Sequence, residues 1–192
     1  MLYIPQDSAT EATIIGLDPG SNTFGVSVLR FDIDSLGITS TEAFTLVGDK
    51  LSRNSWQNEA YGDRISRIYH LQMELTQIFF HYRPLLVTSE SPFFNSKFPS
   101  AYGALTEVLC AIRNALMAYD PHKALGLIDP SNVKKAVRAN SFIGKDAVRA
   151  ALMAYPDLRY QSESLDQLDE HAIDALAVAI AQLNILRKEA GL

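Results

Sequence analysis

Three carboxylates stand where an apolar stretch of chain does not ordinarily carry charge. Asp18 ends the run "IIGLD" and is followed at once by Pro-Gly-Ser; Glu90 ends "LLVTSE"; Asp174 lies between Ile173 and Ala175 in "HAIDALAVAIA". Burying an ionised carboxylate is costly unless a cation or hydrogen-bond donors replace its water. Carboxylates gathered at one point repel one another and hold their protons unless a cation intervenes. An oxygen-rich group of this kind suits Mg²⁺ or Mn²⁺. His171 comes one helical turn before Asp174, so both can face the same point. A His-Asp pair with two more carboxylates can hold two metals about 3.5–4 Å apart, the arrangement used to cleave phosphodiesters. Glu170 competes with His171, because its i,i+4 relation to Asp174 also places it nearby.

Each residue has a plainer reading beside this one. Asp18 before Pro-Gly can be a turn former, Glu90 can pair with a core arginine, and His171 near a helix start can simply face solvent. Asp174 resists that treatment, since a buried helix offers a carboxylate few partners.

The elements that must position these residues follow from the apolar periodicity. "ATIIGLD", "FGVSVLRFD" and "GITSTEAFTLV" read as strands of an antiparallel meander, with turns at Gly-Ser-Asn after Asp18 and at Asp34-Ser35 with Gly37. From Asn58 to Tyr82 the period is helical, and Tyr61, Ile65, Ile68, Tyr69, Leu75 and Phe79 share one face. "RPLLVTSESP" is a buried strand between prolines. Ala101, Leu105, Val108, Ile112 and Leu116 then mark a second helix, and "ALGLIDP" another strand. "SNVKKAVRAN" and "GKDAVRAALMAY" are short helices; "EHAIDALAVAIAQLNILRKEA" is a helix apolar nearly all round and therefore buried. The order predicts an α/β fold with a mixed sheet, three antiparallel strands then parallel strands, flanked by helices. In such sheets the strand ends form a crevice for ligands. If the first and fourth strands are neighbours, Asp18 and Glu90 meet there.

At 192 residues the chain reads as a single domain, residues 1–11 being a flexible arm ahead of the first strand. Its hydrophobic fraction of 47% and charged fraction of 20% are those of a soluble globular protein, expected in the cytoplasm. No stretch is apolar for long enough to span a membrane, and the first residues lack a secretory pattern. Cys110 is the sole cysteine, cannot form an internal disulfide, and in "LTEVLCAIRNAL" reads as a small core residue. The net charge of -5 argues against broad attraction to nucleic acid but leaves room for a local basic face.

"GLDPGSNTFGVSVL", "VTSESPFF", "PSNVKKAVRANSFIGKDAVRAAL" and "HAIDALAVAIA" follow one another in the order, and at roughly the spacing, of RuvC-type Holliday junction resolvases. From about Ile14 to Leu183 the chain resembles that family. The resemblance implies a ribonuclease-H-like fold, a homodimer, and Mg²⁺-dependent cutting of four-way or branched DNA junctions. Carried over motif by motif, Asp18, Glu90, His171 and Asp174 become catalytic ligands of two Mg²⁺ ions, with Mn²⁺ able to substitute. Some members have aspartate at the position of His171. Phe93, with Phe94 in reserve, stands where the family places an aromatic wedge; stacking on an unpaired base is worth roughly 1–3 kcal/mol. Lys134 and Lys145 match family lysines that contact DNA, and Lys135 and Arg138 extend that basic face. The helix from Ala101 to Tyr119, with small Ala101, Gly103 and Ala104, matches the dimer region. The implied reaction is hydrolysis without a protein nucleophile, giving symmetric nicks with 5′-phosphate and 3′-hydroxyl ends.

Three features depart from the compact bacterial pattern: the acidic total, the N-terminal arm and the segment "DKLSRNSWQNEAYGDR". They count against a host branch-migration motor as partner and suit a phage-encoded relative. Among rival readings, a nuclease for RNA or RNA–DNA hybrid is disfavoured by the aromatic loop and the two lysines. An actin-like ATPase needs a second phosphate loop and a Gly-rich adenosine segment, and neither is found. A non-catalytic junction binder is disfavoured because all four ligand positions are filled.

Overall fold

The first two strands are buried on consecutive residues, so both of their faces are covered by helices. The computed structural model describes residues 10–52, 56–92, 99–139, 146–156, 158 and 165–192. Strands β1 (Glu11–Asp18), β2 (Thr23–Asp32) and β3 (Ile38–Val47) are followed by helices α1 (Gly48–Leu51), α2 (Trp56–Tyr61) and α3 (Asp63–Tyr82). Then come β4 (Leu86–Glu90), α4 (Pro99–Tyr119), β5 (Leu125–Ile128), α5 (Pro130–Ala136) and α6 (Ala147–Met153). A 3₁₀ turn, Leu165–Gln167, leads into α7 (Glu170–Glu189). The sheet order is β3-β2-β1-β4-β5. β2 is antiparallel to both β1 and β3, whereas β4 is parallel to β1 and β5 parallel to β4. The mixed sheet expected from the element order is therefore present. β1 takes in Glu11, the last residue assigned to the arm.

Ile15, Leu17, Phe24, Val26 and Val28 point to one side and pack with Leu71, Leu75 and Phe79 of α3 and Val108, Ile112 and Leu116 of α4. Ile14, Leu29 and Phe31 point to the other, against Ile173, Leu176 and Ile180 of α7, with Val133, Val148 and Leu152 of α5 and α6 behind them. Each such side chain contributes about 1.5–3 kcal/mol when fully buried. α7 lies between the sheet and α5 and α6, so its unbroken buried run from Ala175 to Ala181 has apolar neighbours all round.

Two expectations are corrected. The helix from Asn58 is broken at Gly62, whose φ of 81° takes the backbone out of helical geometry. The core face of α3 is Leu71, Leu75, Ile78 and Phe79, while Tyr61, Ile65 and Tyr69 are exposed. At 100° per residue, Ile65 and Tyr69 stand roughly 80–120° around the helix from Leu75, too far to reach the sheet. Cys110 is exposed rather than a core residue. It lies on the side of α4 opposite Val108 and Ile112, about 200° from each.

Candidate active site

The face of the central strands that meets α7 becomes thinner towards one end. Ile14 pairs with Leu29, then Gly16 with Ser27, then Asp18 with Gly25. Large side chains thus give way to a hydroxyl and two glycines, and α7 descends onto the backbone. A Cβ on Gly25 would lie 2.1 Å from the carbonyl oxygen of His171, and one on Gly16 would lie 2.4 Å from that of Ala175. Ser27 Oγ donates to the same Ala175 carbonyl at 2.7 Å. At the helix start, Asp169 is the N-cap: it accepts from the Ala172 amide at 2.9 Å and from Thr45 Oγ1 at 2.6 Å. β1, β2 and β3 thereby all hold the first turns of α7.

That approach brings the predicted residues to one end of the sheet. β1 and β4 are parallel neighbours with Leu17 opposite Ser89, so Asp18 and Glu90 leave adjacent strand ends together. His171 Nδ1 is 2.7 Å from Asp18 Oδ2, and Thr23 Oγ1 is 2.7 Å from His171 Nε2. Burial, then the charges of Asp18 and Asp174, push Glu90 up to about 7, against the pull of Lys134. Burial, then the charges of Asp18 and Glu170, push Asp174 up to about 6, with Lys134 and His171 opposing. Asp18 is raised by burial although its bond and charge contact with His171 work the other way. The cation whose charge reaches Glu90 is Lys134, not a core arginine. Asp18 is no simple turn residue, because its carboxylate is bound across the fold by a helix.

Among the described residues no group of three or more His, Cys, Asp or Glu side chains is already gathered closely enough to hold a metal ion. The three carboxylates nevertheless supply the oxygen donors that Mg²⁺ takes, and burial, then neighbouring negative charge, raises all three; the imidazole adds a nitrogen donor. His171 Nδ1 and Asp18 Oδ2 are already in contact at 2.7 Å, so a cation held by both would take the place of the proton between them.

Lys134, Lys135 and Arg138 are exposed on and just after α5. Lys134 belongs to the site electrostatically, and Arg138 turns away from helical geometry with a φ of 59°. Phe93, Phe94 and Lys145 lie outside the described residues. Sequence reasoning missed Thr23, Asp169 and the two glycines under α7. Asp169 was detectable as an N-cap ahead of an acidic first turn. Thr23 and the glycines carry no local signature; only strand register brings them under the helix.

A β3-β2-β1-β4-β5 sheet with carboxylates on its two central strand ends and on the helix lying across them defines a ribonuclease-H-like α/β domain with an acidic candidate centre. No family model matches the chain. It is 32% identical over 173 residues, 89% of this chain and 80% of the relative, to the crossover junction endodeoxyribonuclease RuvC of Myxococcus xanthus. The chain belongs to the RuvC family of DNA nucleases. Its fold matches that of Thermus thermophilus RuvC in complex with Holliday junction substrate, with a TM-score of 0.66 at 21% identity over 93% of this chain and 96% of that one. It also matches the yeast mitochondrial Holliday junction resolvase Ydc2, with a TM-score of 0.62 at 13% identity over 96% and 86%. Among the described residues no helix is long and apolar enough to cross a membrane.

The close approach at Gly25 leads to a direct test of how the site is positioned. Gly25→Ala should lift the first turn of α7 from β2, because the added carbon would meet backbone rather than a flexible side chain. Overpacking of this kind costs typically 1–3 kcal/mol. Thermal melting should register that loss, and nicking should fall further than stability does, since His171 and Asp174 ride on the displaced turn. A variant with parental melting temperature and parental nicking would show that the helix does not depend on this contact.

Proposed function

We propose that this chain is a Mg²⁺-dependent endodeoxyribonuclease that resolves four-way or branched DNA junctions by paired symmetric nicks. The observation that carries the reading is the meeting of Asp18, Glu90, His171 and Asp174 at one sheet end, in a chain of this family. The junction substrate named for the structurally similar Thermus protein supports the choice of DNA.

Asp18, Glu90, His171 and Asp174 would hold two Mg²⁺ ions, or Mn²⁺ in their place. When bound, such ions supply an activated water and stabilise charge on the leaving 3′ oxygen. The chain's own part is to fix the donors before DNA arrives: two on neighbouring strand ends, two on a helix clamped by three strands. Lys134, whose charge already reaches Glu90 and Asp174, would meet the scissile phosphate as it enters. Lys135 and Arg138 continue that basic surface along the duplex, with Lys145 assigned to the same role. Phosphate contacts of this type position the DNA and make binding fall with salt. Phe93 or Phe94 serves as the aromatic that stacks on unpaired bases at the branch. No protein nucleophile is required, and the ends left are 5′-phosphate and 3′-hydroxyl.

Symmetric nicks need two sites, and a homodimer provides them. The exposed start of α4, where a Cβ on Gly103 would meet nothing within 4 Å, leaves space for a second copy.

The experiment is incubation of the purified chain with an end-labelled four-way junction, a linear duplex and an RNA–DNA hybrid, each without metal, with Mg²⁺ and with Mn²⁺. The expected result is paired, ligatable nicks in the junction alone and only with metal. Preferred cutting of the hybrid, or a junction bound but never cut with either metal, overturns the proposal.

A further inference from the structure

We propose that Thr23 is a positioning residue whose hydroxyl fixes the ring orientation of His171 through Nε2, so that Nδ1 faces Asp18. This rests on the nuclease reading for its consequence in catalysis, though not for the geometry itself.

The two ring nitrogens of His171 are engaged at opposite ends of the imidazole, Nδ1 by Asp18 Oδ2 and Nε2 by Thr23 Oγ1, both at 2.7 Å. The Thr23 hydroxyl can donate to a bare Nε2 or accept from Nε2–H, so its bond holds the ring whichever nitrogen carries the proton. A half-turn of the ring about its bond to Cβ would put carbon at both positions and lose both bonds. The pair of partners therefore selects one ring orientation. With the hydroxyl gone, the ring is tied at one end alone. In histidine ligands the partner of one nitrogen sets the chemistry of the other, so a loose ring weakens the placement of the donor.

The hydroxyl is itself held by backbone features that do not involve its own side chain. Thr23 opens β2 opposite Val47 of β3. The turn after Asp18 folds back closely enough that a Cβ on Gly20 would lie 2.2 Å from the Thr23 carbonyl oxygen. Replacing Thr23 by valine keeps the branched shape and these backbone contacts while deleting the donor.

The test uses full-length, metal-free protein with ¹⁵N-labelled histidine, at one fixed neutral pH. The chain has four histidines, and the His171 signals are assigned by their absence in His171→Asn. In the parent, long-range proton–nitrogen spectra should show the His171 Nε2 signal displaced by its bond to the Thr23 hydroxyl. Thr23→Val should move that signal, and Thr23→Ser should restore the parental pattern; Thr23→Ala replaces the valine variant if that one does not fold. With junction DNA and Mg²⁺, Thr23→Val should nick about tenfold or more slowly with parental junction affinity, and Thr23→Ser should recover most of the rate. An unchanged ring pattern in Thr23→Val, or an unchanged rate in a chain that nicks, overturns the assignment. A ring pattern that follows the Thr23 hydroxyl in a chain that never nicks DNA upholds the assignment and overturns the nuclease reading instead.

Discussion

Asp18→Asn should leave the chain folded and bound to a four-way junction while slowing Mg²⁺-dependent nicking by about a thousandfold or more. Asp18 is the charge on which the group turns. It bonds His171, and its charge acts on both Glu90 and Asp174. Asparagine keeps the shape and can still accept the Nδ1 proton of His171 through its amide oxygen. What it removes is the negative charge that would bind a cation. Metal ligation of this kind is worth several kcal/mol of transition-state stabilisation, and several kcal/mol is roughly a thousandfold in rate. The same substitution relieves Glu90 and Asp174 of the strongest repulsive charge acting on each. The metal-free variant should therefore melt no lower than the parent at neutral pH, even though activity has gone. Single-turnover nicking at saturating Mg²⁺, with melting curves on the same samples, checks both halves. Nicking within tenfold of the parent would remove Asp18 from the candidate centre.

The parts of this arrangement that were legible in the sequence are those governed by local rules. Periods of two and of 3.6 residues located β1 to β5, α4 and α7, because each buries one face or the whole of its surface. Asp18, Glu90 and Asp174 could be picked out because each is a charge set at the end of, or inside, an apolar run. Their meeting could be stated only conditionally, since it depends on β1 and β4 being neighbours, a long-range pairing. The face of α3 was misjudged for a related reason. Tyr61, Ile65 and Tyr69 have the spacing of a stripe, but Gly62 breaks the helix and the sheet lies to one side of the stripe. Cys110 shows the weakness of judging burial from composition, as an apolar-rich helix still has an outer side. Thr23 is the extreme case. Nothing in "SNTFG" marks a hydroxyl as the partner of a histidine so distant in the chain.

Without metal, the protein should lose stability as pH rises from about 4.5 to 7.5, and Mg²⁺ should restore it. The sign follows from Glu90, whose folded form is pushed up to about 7 from an ordinary value of 4.5, by burial first and by Asp18 and Asp174 next. Between those values the folded chain holds a proton that the unfolded chain has released. Stability is then fully present below the unfolded value and is lost as pH passes through the folded one. Asp174, pushed up to about 6 from 3.8, acts in the same direction over a lower window. The two repel each other through one cluster and titrate together, so their effects do not simply add. At 1.36 kcal/mol per pH unit the loss is on the order of 3 kcal/mol, or roughly 6–12 °C in melting temperature for a chain of this size. Mg²⁺ bound only by the folded chain would return about 2.7 kcal/mol at a hundred times its dissociation constant. Glu90→Gln isolates the contribution of one carboxylate from ordinary acid effects elsewhere. That variant should match the parent near pH 4.5, exceed it without metal at pH 7.5, and gain little from Mg²⁺. Parallel curves for parent and variant across the whole range would mean that Glu90 is not held in this repelling group. Equal Mg²⁺ gains in both would place the cation somewhere other than the end of β4.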